Sequence, residues 1–219
     1  MRKLAGLLFI VLFYSACKFN DGNKTTLPIY GNRDAVTKTV DGKTVVDTVY
    51  QTIPPFNFIN QYGDSITEKS VKGDIYVADF FFTTCPSICP VMHRNMLKIY
   101  NDFKNVSDFK ILSHTIDPKH DSVEVLKKYA DKLGVSGNTW WFLQGKKAET
   151  YQLGEKNYLI AVKQDDGAAG GYVHQGWFVL VDKQRRIRGY YDGTDEKQVD
   201  KLIADIKTLR TETDEQIAQ

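Results

Sequence analysis

The sequence predicts an α/β domain: a mixed β-sheet flanked by helices, with an N-terminal extension. Three observations predict it. Ile75 to Phe82 is a continuous apolar run broken only by Asp79, the pattern of a strand buried on both faces. Runs of this kind alternate with segments of helical spacing, which implies parallel strands joined by crossovers. Towards the C-terminus two apolar runs are separated only by the short turn Asp182-Lys-Gln-Arg185, which implies an antiparallel pair.

The extension comes first. Arg2 and Lys3 precede a 13-residue, almost wholly apolar stretch, Leu4 to Ala16, and the small residues Ser15 and Ala16 precede Cys17. Residues 1–16 therefore read as a secretory signal peptide, too short in its apolar run to span a bilayer comfortably. Small residues followed by Cys resemble the lipobox of bacterial lipoproteins, in which the Cys is lipidated and becomes the mature N-terminus. Tyr14 departs from that pattern, which usually has an aliphatic residue there. The resemblance implies lipidation at Cys17 and an exported, membrane-anchored lipoprotein facing the periplasm. The plainer alternatives are a secreted protein or an uncleaved anchor. Residues 17–51 are polar and rich in Asn, Gly, Thr and Lys. They read as a lipid-anchored tether leading into irregular structure or a small hairpin, with Val45, Val46, Val49 and Ile53 available for a strand.

Residues 52–210 carry the pattern of a packed domain. After the buried strand, Pro90 to Phe103 is a helix: Met92, Met96, Ile99 and Phe103 recur at helical spacing and Pro90 suits a first turn. Phe109 to Ile116 is the next strand. Asp121-Ser-Val-Glu124 has the form of a capping box, and the helix it opens stops at Gly134. A short helix is expected near Lys146 to Gly154, core strands at Trp177–Val181 and Ile187–Tyr191, and a last helix over Asp195–Leu209. Residues 211–219 form a C-terminal tail. This order of elements is the arrangement of a thioredoxin-like domain.

Composition narrows the function. The chain of 219 residues, 42% hydrophobic and 26% charged, supports one substantial core. Lys plus Arg total 29 and Asp plus Glu total 27, and without Arg2 and Lys3 the balance is even. Nothing in that balance suggests nucleic acid or an acidic substrate. Of three cysteines, two remain if Cys17 carries lipid: Cys85 and Cys89. Two thiols do not staple an exported domain of this size, and four positions apart they are suited to chemistry.

Those thiols lie in Phe82-Thr-Thr-Cys85-Pro-Ser-Ile-Cys89-Pro90, where a buried strand becomes a helix. A helix N-terminus favours thiolate, the metal-binding and nucleophilic form. The spacer of Pro86, Ser87 and Ile88 is one residue longer than that of the usual redox motif. It can clasp a metal and still permit a disulfide. Two thiolates alone are an incomplete site. Of His93, His114, His120 and His174, the last lies just before a core strand in a loop expected to approach the first helix. Two soft thiolates and an imidazole suit copper in either oxidation state.

These residues, with Thr115-Ile-Asp-Pro-Lys-His-Asp121, His174 followed by Asp182, and Arg188-Gly-Tyr-Tyr-Asp-Gly193, resemble the Sco/SenC family over about Ile53 to Leu209. Members of that family are copper chaperones for the dinuclear copper centre of cytochrome c oxidase. The resemblance implies copper held by Cys85, Cys89 and His174, with Asp117 near the site, and an oxidase subunit as partner. Arg185 stands where the family's turn usually has Gly.

Several residues have plainer readings. Cys85 and Cys89 can form a structural disulfide, although so short a loop gains little entropy. His93, four residues beyond Cys89, reads as a solvated helix residue, with contact to the metal as the sharper alternative; His114 reads as packed and His120 as exposed. Asp79 needs a buried partner, either a neighbouring turn or the electrostatics of the thiols. Met92 and Met96 read as core, although methionine sulfur can bind cuprous copper, and Trp140 and Trp141 read as packing residues. Two rival functions remain: a thiol-disulfide oxidoreductase in which Cys85 attacks and Cys89 resolves, and a peroxidase or redox sensor.

Overall fold

A computed structural model describes residues 26–165 and 167–212, apart from the side chains of Ala169, Val173 and His174. The signal segment, Cys17 and the tail beyond Glu212 lie outside the described residues. The first element of the described residues is a hairpin, β1 (Arg33–Val40) and β2 (Lys43–Tyr50), turned at Asp41 and Gly42, which both have positive φ. A small antiparallel pair follows, β3 (Asn57–Ile59) and β4 (Ser65–Thr67). Then come β5 (Ile75–Phe81), α1 (Cys89–Phe103), β6 (Phe109–Thr115), α2 (Val123–Leu133) and β7 (Trp140–Leu143). A short α3 (Lys147–Gln152) runs into a π-helical turn, Leu153–Tyr158. The pair β8 (Val162–Gln164) and β9 (Tyr172–His174) leads to β10 (Trp177–Val181), β11 (Ile187–Asp192) and the final α4 (Glu196–Thr211).

The central sheet has the order β11-β10-β5-β6-β7. β5, β6 and β7 are parallel, while β10 is antiparallel to both β5 and β11. This is the predicted mixed sheet flanked by helices. Every residue of β5 is buried, which is why its sequence lacks in-out alternation. Its two faces meet different partners. Phe81 packs on His93 of α1, Tyr129 of α2 and Phe142 of β7. Phe80, facing the other way, stacks on His114 and meets Tyr158 edge-on.

A buried arginine closes the end of the sheet away from the β5–α1 loop. Arg188 donates to the carbonyls of Leu27 and Pro28 and to the carboxylates of Asp182 and Glu212, and Glu212 accepts from the Leu27 amide. The N-terminal segment and the end of α4 are thereby tied to one guanidinium. Asp182 also accepts from the amides of Gln184 and Arg186. The turn it holds has φ of 64° at Arg185, the conformation for which glycine is usual.

Three expectations change. The sheet has a fifth strand, β7, at Trp140–Leu143, where the sequence showed only packing residues; Trp140 and Trp141 do pack, at 0% and 6% exposure. The cap of α2 is Ser122, whose hydroxyl accepts from the Val125 amide, and Asp121 is buried instead. His93 is not solvated: it faces the sheet at 1% exposure. His114 is buried and His120 exposed, as expected.

Candidate metal centre

The chain leaves β5 at Phe81, turns, and enters α1 at Cys89. The Cys85 amide donates to the Phe82 carbonyl at 3.2 Å, closing the turn that presents the first thiol. Ile88 caps α1 without a side-chain hydrogen bond, Pro90 occupies the first turn, and the Ile88 carbonyl accepts from Val91 and Met92. The positive end of α1 therefore bears on the two sulfurs. The Cys85 Sγ lies 3.6 Å from Ser87 Oγ. Cys85 is 8% and Cys89 1% exposed, so the first thiol is the more accessible. The Cys89 proton is held strongly. Its hydrogen bond to Cys85 raises its pKa most, burial and the charges of Cys85 and Asp79 add to that, and the Phe82 backbone opposes.

A second segment lies across this loop. A side chain at Gly170 would sit 2.9 Å from the Phe82 ring and 3.1 Å from Pro86, and φ there is 80°; only glycine lets the backbone approach so closely. Two residues on, Tyr172 packs its ring on Phe82 with centroids 5.1 Å apart. Its hydroxyl is pushed up to about 12, first by burial and then by its hydrogen bond to Asp117. Past His174, a side chain at Gly176 would meet Ile88 at 3.6 Å. The backbone on both sides of His174 thus rests against the residues that flank the thiols. His174 itself pairs with Val162 through its backbone in β9; its side chain lies outside the described residues. Among the described residues, no three His, Cys, Asp or Glu side chains converge as a metal site.

Asp79 lies below the loop on the face shared with α1 and α2. It accepts from Ser113 Oγ at 2.5 Å and meets His93 Nε2 at 3.2 Å. Trp140 Nε1 donates to Ser113, and His93 Nδ1 meets the Tyr129 hydroxyl at 2.8 Å. The Tyr129 pKa is raised by burial and then by the charges of Cys89, Asp79 and Cys85. Asp79 is thus held by Ser113 of β6 and His93 of α1, not by a neighbouring turn, and its charge is the smallest of the contributions that raise Cys89. Asp117 reaches the site through its hydrogen bond to Tyr172. Tyr129 and Tyr172 were not singled out in the sequence, and Asp121 was read there as a capping-box residue and as part of the Thr115–Asp121 stretch. Tyr172 adjoins the Gly-Gly pair before His174, which was the one available signal for it.

The SCO1/SenC family model matches residues 46–211. The chain belongs to the SCO1/SenC family. It is 32% identical over 172 residues to the SCO1 protein homolog of Bacillus subtilis, covering 78% of this chain and 89% of that one. Among solved structures, this SCO1/SenC chain superposes with a TM-score of 0.65 on BsSco, at 32% identity, covering 74% of this chain and 95% of the other. BsSco is described as a member of the Sco family of cytochrome c oxidase assembly proteins in which a disulfide switch was identified. The yeast Sco1 structure with copper bound gives a TM-score of 0.59 at 25% identity, covering 77% and 94%. The SCO1/SenC match takes in the thiol loop, the Thr115–Asp121 segment and the β8–β10 region.

Proposed function

We propose that this protein is a copper chaperone that carries one copper ion on Cys85, Cys89 and His174 and delivers it to the dinuclear copper centre of a cytochrome c oxidase subunit, or prepares that subunit's cysteines. The observation that carries the reading is the pair of thiols at the uncapped N-terminus of α1, crossed by the backbone on either side of His174. The copper bound by yeast Sco1 and the oxidase-assembly role stated for BsSco support it. Copper is cargo here. Two soft sulfur donors suit the cuprous ion, and an imidazole completes the set for the cupric ion. The more accessible Cys85 is the sulfur at which an incoming client thiolate displaces its own.

The protein is proposed to be exported and anchored by lipid on Cys17, facing the periplasm. Residues 17–51 form its tether and hairpin, 52–210 the copper-binding domain and 211–219 a tail. Among the described residues no helix is long and apolar enough to cross a membrane.

A second reading, a thiol-disulfide oxidoreductase, draws on the hydrogen bond between Cys89 and Cys85. The buried Cys89 keeps its proton while Cys85 acts as the nucleophile, and Cys89 then resolves the mixed disulfide. The disulfide switch described in BsSco is consistent with it. A strain carrying His174→Ala, scored for oxidase assembly under limiting copper, separates the two. Copper delivery predicts failed assembly while the purified variant still exchanges disulfides normally. Normal assembly in that strain, with failure in Cys85→Ser, would favour the oxidoreductase.

A further inference from the structure

Asp121 is a fully buried carboxylate at the point where the thiol loop leaves the sheet. It accepts from the Thr83 amide at 3.1 Å, from the Thr83 hydroxyl, and from the Thr115 hydroxyl at 2.5 Å; His120 Nδ1 lies 3.1 Å away. Burying a carboxylate costs several kcal/mol unless it is well hydrogen-bonded, and here three of the four partner groups belong to Thr83, in the turn after β5, and Thr115, the last residue of β6. The ladder between those strands stops at the bond from the Ile116 amide to the Phe81 carbonyl. Asp121 takes over from there. Thr83 is the second residue of the turn closed by the Cys85 amide and the Phe82 carbonyl, so the carboxylate grips the turn that ends at Cys85. The charge of Asp121 also contributes to the raised pKa values of Tyr129 and Tyr172, the two tyrosines beside the loop.

Cys89 is fixed by α1, of which it is the first residue. Cys85 stands four residues earlier, at the end of that turn, with its Sγ 3.6 Å from Ser87 Oγ. The separation of the two sulfurs therefore depends on how that turn is held.

We propose that Asp121 is a positioning residue for the thiol pair, acting through Thr83 to set where Cys85 stands relative to Cys89. The inference rests on the reading of Cys85 and Cys89 as the working thiols. Both activities of the pair need the sulfurs at a defined separation: cuprous binding, and exchange in which the dithiol and glutathione disulfide give the protein disulfide and two glutathione thiols.

The test uses the full-length chain with Asp121→Asn, Thr83→Val, both together, and Thr83→Ser. Three quantities are measured: cuprous affinity by competition, the dithiol–disulfide equilibrium in glutathione buffers, and the unfolding midpoint. Each of the first two variants should weaken cuprous affinity about tenfold and move the glutathione equilibrium by a similar factor, the scale of one hydrogen bond to a charged group. The double variant should be no worse than the weaker single one. Thr83→Ser, which keeps the hydroxyl, should recover most of the Thr83→Val loss. Losses that multiply in the double variant would overturn the proposal, as would a lowered midpoint with both site readouts unchanged. If Asp121→Asn does not fold, Thr83→Val against Thr83→Ser decides. If the unmodified chain does not bind cuprous copper, the chaperone reading falls and the glutathione equilibrium alone decides the role of Asp121.

Discussion

The carboxylate of Asp79 and the imidazole of His93 meet at 3.2 Å in the interior, both essentially inaccessible to solvent. They join β5 to α1 directly beneath the turn that carries Cys85. Ser113 and Trp140 extend the contact on one side and Tyr129 on the other. Asp79→Ala removes the acceptor and leaves His93 and Ser113 without it. The expected loss is about 1–3 kcal/mol of unfolding free energy, the usual cost of leaving buried hydrogen-bonding groups without their partner. Urea unfolding checks it; a loss below about 1 kcal/mol would mean that the pair contributes little.

His114 gives the fold a dependence on pH. Its ring stacks on Phe80 and lies among Phe56, Phe58 and Tyr158. Burial lowers its pKa to about 4, with the charge of Asp79 opposing. The unfolded chain takes up this proton near pH 6.5 and the folded chain only near 4. Stability from this residue is therefore complete above about pH 6.5 and drains away as pH falls towards 4, by about 3 kcal/mol in all. His114→Leu should flatten the fall in urea midpoint between pH 7 and pH 4.5. The same slope in both proteins would assign the acid sensitivity to other groups.

The hypothesis of a lipid anchor makes Cys17 the residue on which location turns, motivated by the small residues before it and the short apolar run. Cys17→Ser should release the protein from membranes or block its processing. Mass spectrometry of the N-terminus together with membrane fractionation checks this. Unchanged retention with an intact N-terminus would instead indicate a permanent helical anchor.

Much of the fold was legible because its signals are local. The run from Ile75 to Phe82 has no alternation because β5 is covered on both faces, and Gly134 stops α2 in a left-handed conformation, as such glycines do. β7 escaped notice because four apolar residues carry no measurable period. The loop thiols were legible from spacing and from the Pro after Cys89. Asp121 was not, since Asp-Ser before a helix is ambiguous about which residue caps; only the tertiary position of Thr83, 38 residues away in sequence, settles it. His93 sits four residues past Cys89 on a helix whose sequence also has polar neighbours. Its burial depends on Asp79, a partner that no local pattern names.

On the proposed function, His174 is the ligand that separates the two oxidation states of the cargo. Without it, two sulfurs can still hold the cuprous ion in near-linear geometry but satisfy the cupric ion poorly. His174→Ala should therefore weaken cupric binding far more than cuprous binding, read by competition titrations with each ion. Equal loss for both ions, or no loss, would give His174 another role.

The most direct test of the central claim is a copper titration of the reduced full-length chain beside Cys85→Ala and Cys89→Ala, followed by metal analysis and visible absorption. The account predicts one equivalent of copper in the unmodified protein, a strong thiolate-to-copper charge-transfer band in the cupric form, and loss of tight binding in either cysteine variant. Full stoichiometric binding retained by either variant would contradict it.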